Sequence, residues 1–252
     1  MTALIARAKL TWYLEITGVR ADGFHELRSE MVTLDFADRL EVEPDEDYLR
    51  LTTPDASIPL DGTNLVSRAL QLVGRRAGVT IDKHIPSGGG LGGGSADAAA
   101  ILRWAGGVSG VQALSLGGDV PFCQLGGRAL VEGVGELLTP LAYEERKVTL
   151  MMPDFKVDTA ACYRAYDELA SGGSKPTGWN HLEPAARLVQ PQLGRTLDWL
   201  RAEYSSAVHL AGSGSTMFLE GHLDVDRDVW DVAGPNCTLR FRQTTTTPRE
   251  AL

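Results

Sequence analysis

Residues 86–100 read PSGGGLGGGSADAAA. Six glycines flank one leucine, and an alanine-rich run follows at once. Such a stretch can be a flexible linker, a dinucleotide fingerprint or a cradle for phosphate, and its flanks separate the three. VTIDKHI (79–85) alternates as a strand does and ends one residue before Pro86. ADAAAILRWA has helix-forming composition directly after Ser95, a good capping residue, so a helix is predicted from about Ser95 to Trp104. A linker would not be pinned at both ends. Gly88, Gly90 and Gly93 do satisfy G-x-G-x-x-G, yet the preceding strand carries Thr80, Asp82, Lys83 and His84. A central parallel strand covered on both faces would be almost wholly apolar, and no second buried strand ending in an acidic residue follows about 20 residues later. The cradle remains: glycines let the backbone approach a polyphosphate with its N–H groups turned inward, and the helix behind them offers its positive end. There is no G-x-x-x-x-G-K-[ST], so this is not the common P-loop.

Outward from the loop, AKLTWYLEIT (8–17) alternates cleanly and predicts a half-buried strand with Lys9 and Thr11 on its polar face. A turn follows at 21–23, then strands at 31–36 and 39–44, with loops or a hairpin edge through the acidic 44–62 region. NLVSRALQLVGRRA (64–77) has helical spacing with Asn64 as its N-cap. Beyond the second helix come short strands near 127–131 and 136–141, a strand at 147–153, and helices in TAACYRAYDELA and PQLGRTLDWLRAEY around a polar segment at 171–178. VHLAGSGSTMFLEG is a strand and glycine turn followed by a strand or helix, TLRFRQT a last strand, and TTTTPREAL a loose tail. The order of elements predicts an α+β fold, divided near 143–147 where composition breaks.

The chain of 252 residues with 43% hydrophobic content can bury a core in one large or two small domains. A formal charge of -9 argues against nucleic acid or an anionic membrane as the main partner, while leaving room for a locally basic pocket. Cys123, Cys162 and Cys237, widely spaced and without C-x-x-C, read as reduced thiols rather than a zinc site. The N-terminus lacks a signal or transit pattern, and no run of about 18 apolar residues occurs, so a cytoplasmic location without membrane contact is expected.

P-x-G-G-G-L-G-G-G-S-x-D-A-A-A resembles the ATP-binding loop of the GHMP kinases. Four further segments resemble that family in order: ARAKLTWYLEITGVRADGFHEL, GGDVPFCQLGGRALVEGVGE, NHLEPAA and LAGSGSTMF. The extended G-L-G-G-G-S form is similar to the branch acting on 4-diphosphocytidyl-2-C-methyl-D-erythritol. The resemblance implies phosphoryl transfer from ATP, with Mg²⁺, to a hydroxyl of that cytidine-diphosphate sugar alcohol, in the non-mevalonate isoprenoid pathway. It also implies an N-terminal domain (1–144) like ribosomal protein S5 domain 2 and a ferredoxin-like C-terminal domain (145–252), with the site between them and the chain acting as monomer or homodimer.

Carried over residue by residue, Asp119 in GGDVPF matches the catalytic aspartate and Lys9 the lysine of the first strand. A positioned carboxylate can take the proton of an attacking hydroxyl, and a neighbouring cation favours its charged form. Taken alone, Asp119 reads rather as a turn cap before Val-Pro and Lys9 as an exposed strand lysine; the matched context reverses both. The triphosphate would lie along Pro86 and Gly88, Gly89, Gly90, Leu91, Gly92, Gly93, Gly94 and Ser95, with Asn64 and Lys83 toward the nucleotide and Ser95 near the metal. Phe24, His25 and Tyr163 match the groups that grip cytosine, although Phe24 and Tyr163 also suit ordinary packing; Gly212 and Ser213 match the third glycine motif. Two positions depart from the pattern. Thr11 stands in an asparagine's place among the substrate contacts, and Ala96 in that of a serine, removing a hydroxyl from the phosphate site. The alternatives are a kinase of another small alcohol and a catalytically silent binding protein of the same fold.

Overall fold

The computed structural model describes residues 1–173 and 175–250; Ser174, within the polar 171–178 segment, lies outside the described residues. Two sheets carry the architecture. The first is built from β1 (Thr2–Val19), β2 (His25–Pro44), β3 (Tyr48–Leu51), β4 (Ala77–Asp82), β5 (Arg128–Gly133) and β6 (Leu137–Pro140). Its order is β3-β4-β2-β5-β6 with β1 along the other edge of β2. The second, antiparallel throughout, runs β10 (Val229–Gly234), β11 (Cys237–Thr245), β7 (Lys147–Pro153), β9 (Met217–Glu220) and β8 (His209–Leu210). The helices are α1 (Leu65–Leu72), α2 (Gly93–Trp104), α3 (Gly110–Leu114), α4 (Val120–Leu125), α5 (Thr159–Ser171), α6 (Glu183–Val189) and α7 (Pro191–Glu203).

The strands expected at 31–36 and 39–44 are one strand of 20 residues, β2. It is long enough to pair with β1 throughout on one edge and with β4 and β5 in succession on the other. Helices α4 and α6 were not visible in the sequence pattern; each carries a proline in its first turn, where the missing N–H costs nothing. The tail expected to be loose is bound: Leu34 bridges Thr246, Thr247 N donates to Thr33 O at 2.8 Å, and Arg7 pairs with Glu250 at 2.9 Å.

β1 is covered on both faces between Ala8 and Trp12, not half-buried as its alternation implies. Ala6 packs with α1 and α2 against Leu40, Val79 and Ile101. Ala8, two residues on, packs with Leu10, Trp12 and Phe36 against Val148, Leu150 and Phe218 of the second sheet. Period 2 would put both alanines on one face. The register shift between Arg7 and Lys9 changes the phase, and a second shift follows between Thr11 and Tyr13. A bulge re-aims the side chains beside it. Here two bulges bracket Lys9 and Thr11. The apolar layer shared by the two sheets includes Leu91 from the glycine loop, so the loop is anchored at the seam.

Candidate active site

The glycine loop hangs between β4 and α2, and Lys9 N donates to Leu91 O at 3.0 Å, joining it to the free edge of β1. Helix α2 begins at Gly93 with left-handed Gly92 before it, so Ser95 is not the cap but sits within the first turn. The physical reason lies at Gly92: its φ of 67° suits glycine, and a Cβ there would stand 2.8 Å from Lys9 Cγ. At Gly90, whose φ is 81°, a Cβ would stand 2.7 Å from Gly214 O of the second half. Thr216 N donates to Gly89 O at 3.1 Å, tying the two glycine turns together.

A cleft of about 380 Å³ opens over this loop, a volume suited to a small-molecule ligand. Pro86, Gly88, Gly89, Gly90, Gly92, Gly93, Gly94 and Ser95 line it, joined by Asn64, Lys83 and Asp119. Leu91, expected among the nucleotide contacts, is fully buried, and its side chain belongs to the apolar seam. Ala96 is buried too, against the α1–α2 core, so a serine there would not face the cleft and its absence removes no phosphate ligand. Asn64 caps α1, accepting from Val66 N at 2.9 Å, while its amide donates to Pro59 O at 2.7 Å and holds the 57–59 rim.

Asp119 occupies the position before α4 and makes no capping hydrogen bond, which disposes of its reading as a turn cap. Its carboxylate faces Lys9, with Nζ to Oδ2 at 3.2 Å. Lys9 is 5% exposed, not a surface lysine, and its ammonium also donates to Thr11 Oγ1 at 3.0 Å. From the second half, left-handed Gly212 closes on the same pair: a Cβ on it would lie 3.5 Å from Thr11 Oγ1 and 4.0 Å from Lys9 Nζ. Ser213 Oγ lies 2.8 Å from Thr159 Oγ1 at the start of α5.

Lys83 lines the cleft, and its ammonium is held by buried Asp38 and by Asp97, the latter at 2.8 Å. Burial would lower the Lys83 pKa; Asp97 and Asp38 overcome that and hold it above its ordinary value. Burial pushes the Asp97 carboxyl up to about 7, with Asp38 adding to the rise and Lys83 opposing it. Asp38 also accepts from His84 N at 2.5 Å and Ile85 N at 2.8 Å, fixing the chain as it enters the loop. Neither aspartate was singled out from the sequence; two carboxylates 59 positions apart show no local spacing.

On the substrate side, His25 packs against Tyr163 with ring centroids 4.8 Å apart, and its Nε2 lies 2.7 Å from Asp167 Oδ1. Tyr166 meets His25 edge-on. Tyr163, Tyr166 and Asp167 share one face of α5, the i, i+3, i+4 spacing that could have identified the last two. The Tyr163 phenol is pushed up to about 12 by burial and then by the charge of Asp119. Phe24 is 63% exposed, so it is not a core residue. Sequence reasoning also missed Lys156, which reaches from the second half to donate to Ser87 Oγ at 3.0 Å on the cleft rim. The three thiols are free; burial pushes Cys123 up to about 12 and Cys162 up to about 11, leaving them unreactive. Among the described residues no helix is long and apolar enough to cross a membrane.

Known proteins resemble this chain along most of its length. Residues 64–127 match the GHMP kinases N terminal domain. The 4-diphosphocytidyl-2-C-methyl-D-erythritol kinase of Polaromonas sp. is 35% identical over 91% of this chain and 85% of its own length. That of Cereibacter sphaeroides is 38% identical over 86% and 88%. A crystal structure of 4-(cytidine 5'-diphospho)-2C-methyl-D-erythritol kinase superposes with a TM-score of 0.68 at 34% identity, covering 86% of this chain and 89% of that one. A mevalonate kinase structure, 13% identical with a TM-score of 0.62, shares the fold. The chain is a GHMP kinase and belongs to the 4-diphosphocytidyl-2-C-methyl-D-erythritol kinase family.

Proposed function

We propose that the chain transfers the γ-phosphoryl group of ATP to a hydroxyl of 4-diphosphocytidyl-2-C-methyl-D-erythritol, with Lys9 and Asp119 as its catalytic pair. The observation that carries this reading is a carboxylate spared from capping and set 3.2 Å from a buried ammonium, at the end of a glycine-lined cleft. Asp119 accepts the proton of the attacking hydroxyl, and the Lys9 ammonium lies where negative charge builds during transfer. The N–H groups of residues 92–95 and the positive end of α2 hold the phosphates. His25 and Tyr163 present an imidazole and an aromatic face to the cytosine, with Asp167 orienting the imidazole and exposed Phe24 free to close on the base. Both catalytic residues lie before the proposed 144/145 division, while Tyr163 and Gly212 approach the site from beyond it.

Among the described residues no group of three acidic, histidine or cysteine side chains could cage a metal. The Ser95 hydroxyl, which lines the cleft, would help hold a Mg²⁺ carried on the triphosphate, since Mg²⁺ keeps several waters and substrate oxygens. When bound, the ion neutralises phosphate charge. The test is release of ADP by the purified protein from Mg-ATP and 4-diphosphocytidyl-2-C-methyl-D-erythritol. Asp119→Asn should cut the rate by about 10²–10⁴-fold while ATP still binds. Turnover on homoserine or mevalonate instead would assign another alcohol, and ATP binding with no turnover on any alcohol would leave a silent binding protein.

A further inference from the structure

We propose that Asn180 is a positioning residue for phosphoryl transfer: its carboxamide sets Gly212 against the Lys9–Thr11 pair. This rests on the roles of Lys9 and Asp119 given above. The edge of β1 that accepts Leu91 at Lys9 takes a second segment five residues on. Leu14 N donates to Trp179 O at 3.1 Å, His181 N to Leu14 O at 2.8 Å, and Ile16 N to His181 Nδ1 at 3.1 Å. The Trp179 indole adds a bond to Trp12 O at 2.5 Å. Asn180 is thereby registered on the strand that carries Lys9 and Thr11.

Its side chain points the other way, toward the third glycine motif. Nδ2 donates to Leu210 O at 2.9 Å and to Gly212 O at 2.7 Å, while Oδ1 accepts from Leu182 N at 2.9 Å. Reversing the amide would set its oxygen against two carbonyls, so the bonding pattern fixes the orientation. With Asn180 only 4% exposed, water cannot replace those bonds cheaply. One carboxamide therefore transmits the register of β1 to Gly212, which faces the pair so closely that a Cβ on it would touch Thr11 Oγ1 and Lys9 Nζ. A shift of about 1 Å in such a contact can cost on the order of 10²-fold in rate.

Asn180→Asp provides the sharpest test. A protonated carboxyl at 180 can still donate to one of the two carbonyls; a carboxylate donates to neither and repels both. We expect kcat to fall by about 10–100-fold, with the ATP dissociation constant, measured calorimetrically, within about twofold. The rate relative to wild type should drop further as pH rises from roughly 6 to roughly 8.5. Gly212→Ala perturbs the same contact from its other side, so the two losses should fail to multiply in the double variant. An unchanged kcat, a flat pH ratio or fully multiplying losses would each overturn the proposal. Thermal midpoints at each pH identify unfolding; if N180D does not fold, N180S, which keeps one donor, takes its place in the cycle with G212A. Asp119→Asn runs in parallel: its retained turnover would sink the catalytic pair, whereas a dead D119N beside a flat N180D ratio would sink only the positioning role.

Discussion

At the scale of single residues, the site is built from polar groups that the fold buries and then satisfies with one another. Thr11, set apart by the resemblance as a departure from its expected pattern, has a partner in Lys9 for its hydroxyl. Thr11→Val keeps the shape and removes that acceptor, leaving the ammonium to Asp119 alone. Steady-state kinetics should show kcat lower by about tenfold with KM for ATP little changed. Asp97 gives a second test. Its folded pKa of about 7 lies above its ordinary 3.8, so the folded chain keeps a proton that the unfolded chain has lost. More protons bound in the folded state means stability falls as pH rises from about 4 to about 7, then levels off. Asp97→Asn cannot ionise, and denaturant titrations should show a smaller decline over that window than wild type. Gly92 and Asn64 were legible from the sequence as residue types suited to their places. The Asp38–Lys83–Asp97 cluster was not, because buried charges are partnered through space rather than along the chain.

At the scale of elements, local signals worked where the backbone itself sets the outcome. Asn64 caps α1 as its sequence context predicts, and β7 occupies its expected 147–153 span. Asn64→Ala should cost about 1 kcal/mol of stability by denaturant midpoint, since Val66 N loses its partner. Local signals failed where two elements share the decision. Ser95 is as good a cap as any, but the close approach of Lys9 to Gly92 starts α2 two residues earlier. The alternation of residues 8–17 identified β1 correctly yet misjudged its burial. One apolar stripe serves different cores on either side of two bulges, and Leu91 and Gly212 close over its polar face.

At the scale of the whole molecule, the two sheets are joined by an apolar layer in which Trp12 and Phe218 rings lie 5.2 Å apart. Leu150, fully buried in that layer, should cost about 2–5 kcal/mol when replaced by alanine. Calorimetry of Leu150→Ala should show a lower melting temperature and, if the layer is what couples the halves, a broader transition. The two-domain α+β plan was legible from motif order, whereas β10, α6 and the return of residues 246–250 to the first sheet depend on long-range partners that no local pattern records. One consequence concerns inhibition. Residues 57–119 supply the whole lining of the nucleotide cleft, but Gly212 reaches Lys9 from across the seam. Because Leu91, Gly89 and Gly90 are also held against the second half, a compound wedged between the sheets would disturb the glycine loop and the Lys9 contact together while binding outside the cleft. Against varied ATP it would behave as a mixed inhibitor, raising KM as it lowers the maximal rate, and saturating ATP would not fully restore turnover.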